Sequence, residues 1–144
     1  MGRRLVCVAG LFAAFLAGVI QLSAAQGSDD TPKAAATRKL LKTKVSVDFR
    51  DTPLSEVVDD IKDQIKDKTK KTLGVRLDNK GGVSNNTKFT YKADDKALED
   101  VLDEMFKKND MGYIVVSQRN NAYDGTLLIV KGKARGFPVK KDDK

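Results

Sequence analysis

Two acidic octets stand 44 residues apart in this chain of 144: Leu54-Ser55-Glu56-Val57-Val58-Asp59-Asp60-Ile61 and Leu98-Glu99-Asp100-Val101-Leu102-Asp103-Glu104-Met105. Carboxylates at such density are raw material for two-acid hydrolysis or for holding a divalent cation. Hydrolysis needs one acid whose pKa is raised by an apolar pocket. Cation binding needs several oxygens converging on one point. The spacing supports neither. On a helix, Asp59, Asp60 and Asp63 fall off the apolar stripe, as do Glu99, Asp100, Asp103 and Glu104. Lysines follow the acids in both segments: Lys66, Lys68, Lys70 and Lys71 in the first, Lys107 and Lys108 in the second. Negative charge early and positive charge late complements the helix dipole, and pairs such as Asp63 with Lys66 or Asp103 with Lys107 support an exposed face. The acids are therefore expected to face water. The chain has no histidine, so no imidazole can activate a serine or threonine. No catalytic, cofactor-binding or metal-ligating residue is assigned, and the expectation is a protein that is not an enzyme and takes no cofactor.

The elements that carry these octets are a repeat. The stretch from Lys44 to Ile61 aligns without a gap on the stretch from Lys88 to Met105. Val45, Val47 and Phe49 alternate with polar neighbours, as do Phe89, Tyr91 and Ala93, which marks two half-buried strands. Each strand leads through a turn into a helix. Thr52 before Pro53 offers a cap for the first helix and Asp95 for the second. The apolar stripes are Leu54, Val57, Val58, Ile61 and Ile65 in one helix, and Leu98, Val101, Leu102, Met105 and Phe106 in the other. Short apolar runs follow at residues 74–77 and 112–116, and a last strand is expected at 126–130, after Asp124-Gly125. The predicted fold is α+β: a duplicated βαβ unit plus a final strand, β-α-β-β-α-β-β, with two helices packed on small sheets around one core. The connector at 77–88 lacks the spacing of a phosphate or calcium loop and reads as a polar linker. Its Asn85-Asn86-Thr87 matches the glycosylation sequon, a pattern with little specificity.

Outside this core, the start reads as an export signal. Arg3 and Arg4 precede an almost wholly apolar run at residues 5–20, and Ser23-Ala24-Ala25 provides small residues for a signal peptidase. Residues 1–25 are expected to be removed between Ala25 and Gln26. The alternative is an uncleaved anchor, although the run is shorter than the roughly 20 residues of a spanning helix. Cys7, the only cysteine, would leave with the signal, so packing alone would hold the fold. Residues 26–43 are expected to form a flexible basic linker and 134–144 a disordered tail, being poor in apolar residues. The net charge of +7 sits mostly in these flanks. Between residues 44 and 133, 17 basic side chains meet 16 acidic ones, a net of +1. The folded part is thus a poor candidate for nucleic acid.

The pattern resembles the short N-terminal (STN) domain shared by secretins and TonB-dependent receptors. Phe49, Pro53, Leu54, Val58 and Ile61 match that family in the first half. Ala97, Leu98, Leu102, Gly112, Tyr113 and the run from Leu127 to Val130 match it in the second. The resemblance covers residues 44–133 and implies a periplasmic docking module. No barrel, plug or secretin segment follows, so the expectation is a stand-alone exported domain without pore or receptor activity. The function expected is a non-catalytic protein-interaction module of the bacterial cell envelope, with a protein partner and no nucleic acid. It would have no integral membrane span once the signal is cleaved. Partner binding is expected by strand addition at the edge formed by Thr126, Leu128 and Val130. The alternatives are an envelope structural protein whose basic tails touch anionic polymers, and a KH-like nucleic-acid module. The second lacks the G-x-x-G loop and the aromatic surface.

Overall fold

In the computed structural model, which describes residues 30–138, the chain runs α1 (Pro32–Leu41), β1 (Lys44–Pro53), α2 (Leu54–Thr69), β2 (Val75–Leu77), β3 (Lys88–Ala97), α3 (Leu98–Lys107), β4 (Met111–Val115), β5 (Leu127–Lys131) and β6 (Arg135–Gly136). The expected α+β order holds from β1 to β5. Strands β1 and β3 pair antiparallel as a two-stranded sheet, and a second sheet has the order β2-β5-β4-β6. The cleavage expected between Ala25 and Gln26 falls outside the described residues.

The repeat gives the β1–β3 ribbon a local dyad. Asp48 faces Lys92, its own counterpart 44 positions later, and Phe49–Tyr91 and Val47–Ala93 flank that pair. Each strand carries one bulge, with Asp51 (φ 51°) and Asp95 (φ 46°) at equivalent positions in the left-handed region. The amide of Asp51 donates to Thr90 Oγ1 and that of Asp95 to Ser46 Oγ, both at 3.0 Å. Lys88 pairs with Asp51 and Lys44 with Asp95, again as equivalents.

The helix starts differ from the side-chain caps expected at Thr52 and Asp95. Neither α2 nor α3 has a side-chain cap. The Leu54 amide donates to the Thr87 carbonyl at 2.8 Å, and the Leu98 amide to the Thr43 carbonyl at 3.0 Å. Each half thus satisfies the other's orphan donor. Thr52 is left to accept from the Arg50 amide.

One core lies between the helices and the inner sheet faces. Leu54, Val57, Ile61 and Ile65 of α2 and Leu98, Val101, Leu102, Met105 and Phe106 of α3 are buried with Phe89, Tyr113, Val115, Leu127 and Ile129. Phe106 sits 5.8 Å from Phe89 and 6.5 Å from Tyr113 between ring centroids.

Three boundary expectations are corrected. Within the segment expected as a flexible linker, residues 26–43, α1 buries Ala34, Thr37, Leu40 and Leu41. Its apolar residues are few, but they fall on one face, and Thr31-Pro32 starts it: Thr31 Oγ1 accepts from the Ala34 amide at 3.2 Å, with proline where no donor is needed. The tail expected to be disordered from residue 134 begins ordered, because Ala134 is buried and β6 runs parallel to β4. Gly112 permits that approach, since a Cβ there would meet the Ala134 carbonyl oxygen at 2.4 Å. The edge expected at Thr126, Leu128 and Val130 is not an edge: β5 lies between β2 and β4, with Leu128 facing Arg76 on one side and Ile114 on the other. The β4–β5 hairpin fills one flank of β5, and β2, from the first half, takes the other.

Candidate docking face

The acids of the two octets do not converge. Glu56, Asp59, Asp60 and Asp63 are exposed along α2, as are Asp100 and Glu104 on α3. Glu104 is tied to Lys96 at 2.7 Å and to the Tyr91 hydroxyl at 2.7 Å, and the Lys96 bond holds its carboxyl below the usual range. Glu99 and Asp103 are the exceptions in placement, both half-buried. Asp103 lies 3.4 Å from Arg135 Nε and close enough to Tyr113 to add to the burial that pushes that phenol up. Among the described residues no three His, Cys, Asp or Glu side chains form a group fit to hold a metal.

What the fold does assemble is the outer face of the four-stranded sheet. Alternation along β2, β5 and β4 turns Val75, Leu127, Ile129, Tyr113 and Val115 inward and Arg76, Leu128, Val130 and Ile114 outward. Leu128 and Ile114 are half-buried and line two adjoining hollows of about 570 and 430 Å³, which share Val116, Gln118 and Leu128. Each hollow has an arginine stacked on an exposed aromatic ring. Arg76 lies over Tyr123 at 3.7 Å, and Arg38 lies over Phe137 at 3.8 Å.

The loop that carries Tyr123 is fixed by α1. Thr31 Oγ1 donates to Asp124 at 2.5 Å, the Thr31 amide donates to Ser117 Oγ at 2.9 Å, and Thr37 Oγ1 donates to the Gly125 carbonyl at 2.5 Å. Gly125 has φ 80°, and a Cβ there would meet Lys33 Cβ at 2.7 Å. Thr31 and Thr37 are buried polar residues, and the loop supplies their partners. The local sequence signal for this clamp is Thr31 before Pro32, a helix-start pair inside the segment expected as linker.

The sheet edges differ in how they are closed. On β1, Gln64 bonds both the amide and the carbonyl of Ser46, and Lys68 Nζ reaches the Lys44 carbonyl at 2.6 Å. On β6, the Gly136 carbonyl accepts from Arg38 at 3.0 Å. On β2, Gly74 and Asp78 bond β5, which leaves the main-chain groups of Val75 and Leu77 pointing away from the sheet.

No family model, curated protein or solved structure matches this chain. Among the described residues no helix is long and apolar enough to cross a membrane.

Proposed function

We propose that this protein is a non-catalytic docking module of the bacterial cell envelope, exported by its N-terminal segment and akin to the STN domain of secretins and TonB-dependent receptors. One observation carries the reading: an apolar strip, Leu128 and Ile114, on the outer face of a sheet, flanked by two arginine–aromatic stacks and by the open edge of β2. Apolar surface with a polar rim and exposed aromatic anchors suits protein recognition. The repeat and the export-like start support the placement.

The partner docks by adding a strand to β2, where Val75 and Leu77 offer main-chain groups, and by covering the strip beside it. The test is chemical crosslinking in intact cells with the wild type, Val75→Pro and Ile114→Lys, each first checked for a wild-type thermal melt. Proline at 75 removes an amide that no strand of the sheet uses. Loss of one specific crosslinked protein in both variants is the expected result. Equal crosslinking in all three removes this face. Recovery of the chain in the cytosolic fraction refutes export.

A further inference from the structure

The two arginine–aromatic stacks look alike, but only one has its charge answered. Arg38 Nε lies 2.6 Å from Asp30 Oδ2, its Nη2 lies 3.3 Å from Asp30 Oδ1, and its Nη1 donates to the Gly136 carbonyl. That guanidinium is satisfied within the fold. Arg76 has the ring contact and nothing else: no carboxylate or carbonyl of the described residues accepts from it. An exposed arginine normally spends side-chain entropy to hold a partner. Here Tyr123 already fixes the fork, and Thr31 and Thr37 fix the loop that holds Tyr123. A planar fork held in place with free N–H groups is pre-organised for a carboxylate.

The surroundings narrow the ligand. The hollow of about 570 Å³ is of the size that takes a side chain or a short peptide segment. Its walls add Lys80 as a second cation and Asn79 and Thr126 as neutral hydrogen-bonding groups. Asp78, the one carboxylate in the lining, has Oδ1 occupied by the Gly81 amide at 2.9 Å. Val116 and Leu128 make an apolar floor. Two cations beside an apolar floor suit one acidic side chain with an apolar neighbour. A polyanion needs a longer track of cations.

We propose that this hollow recognises an acidic residue of an extended peptide. Arg76, braced on Tyr123, takes an Asp or Glu side chain, and the floor at Leu128 and Val116 takes an apolar side chain two residues along. The spacing of two follows from an extended strand, where alternate side chains share a face. This assignment rests on the docking reading above and names the partner's chemistry.

The probe is a random heptapeptide display library selected on the full chain as wild type, Arg76→Gln, Tyr123→Leu and Arg50→Gln, each verified folded by circular dichroism. Arg50 is an exposed arginine on β1, already paired with Asp48. Wild type and Arg50→Gln should enrich peptides with an acid two positions from an apolar residue. A selected peptide should bind about ten- to a hundredfold more weakly to Arg76→Gln, or when its own acid becomes the amide, as loss of a charged hydrogen-bonded pair requires. Tyr123→Leu should weaken binding while the motif stays the same. Enriched peptides without an acid, or with affinity indifferent to Arg76, overturn this assignment and leave the docking reading standing. Peptides of many acids whose binding ignores Arg76 and collapses with salt also overturn it, in favour of simple charge attraction. No enrichment on the wild type overturns both.

Discussion

Thr31→Ala separates a clamped helix from a loose linker. In the structure Thr31 does two jobs with one hydroxyl: it accepts from the Ala34 amide as the cap of α1, and it donates to Asp124 at 2.5 Å. Losing a threonine cap costs about 1 kcal/mol. Losing a hydrogen bond to a charged group costs about 1.5–3 kcal/mol, and here the lower end applies because Asp124 keeps the Gln118 amide at 3.2 Å. The expected destabilisation is therefore about 2–3 kcal/mol. With an m-value of about 1.5 kcal/mol/M, that moves the urea midpoint down by about 1–2 M. Thr31→Ser keeps both bonds and should stay within about 0.5 kcal/mol of wild type. The assay is equilibrium urea unfolding followed by circular dichroism, with hydrogen exchange at Gly125 and Val116 as a local readout. Their amides close the loop: Gly125 donates to Val116 at 2.8 Å and Val116 to Thr126 at 2.9 Å. Both should exchange faster in Thr31→Ala than its global loss explains. If Thr31→Ala melts within 0.5 kcal/mol of wild type, α1 carries no fold stability and the clamp on the Tyr123 loop is refuted.

Three further outcomes follow from the packing. Gly112→Ala should cost about 1–3 kcal/mol in urea melts, because its Cβ would press 2.4 Å from the Ala134 carbonyl oxygen and displace β6. The paired change Asp60→Asn with Asp63→Asn should shift stability by no more than about 0.5 kcal/mol, since both acids lie on the exposed face of α2; a larger loss would mean that face is covered. Tyr113 is buried and its phenol is raised, by burial first and by Asp103 second, so the fold favours the protonated form. That contribution is fully present below the unfolded phenol value of about 10 and is lost as pH rises towards the folded value. Alkaline unfolding should therefore move to higher pH in Tyr113→Phe, read by circular dichroism from pH 9 upwards, and an unchanged midpoint would deny the coupling.

The parts legible in the sequence are those written in local periods. Alternation at 45, 47 and 49 and again at 89, 91 and 93 located the long strands, and the 3.6-residue stripes located α2 and α3, because both periods follow from backbone geometry alone. The capping side chains did not carry over. Thr52 and Asp95 are plausible caps in isolation, yet the orphan amides of Leu54 and Leu98 go to carbonyls of the opposite half, 33 residues later in one case and 55 earlier in the other. No local pattern encodes that exchange. The sheet order was hidden for the same reason: the last long strand by sequence is interior because β2, some 50 residues upstream, pairs with it in parallel.

The flanks carry long-range information that no local composition shows. Apolar residues are few in 26–43, but Ala34, Leu40 and Leu41 are buried on one face of α1, and Thr31 and Thr37 find their partners in the loop at 117–125. The same loop places Tyr123 against Arg76, a contact between residues 47 positions apart with no shared motif. The two halves of the repeat, equivalent in their strands and helices, are thus made unequal by what is added outside them. A helix before the first half reaches across to shape the loop of the second, and β2 of the first half forms the wall that faces it. The duplication accounts for the core; the asymmetric additions account for the hollow where Arg76 is braced on Tyr123, and they make one end of the molecule unlike its repeat.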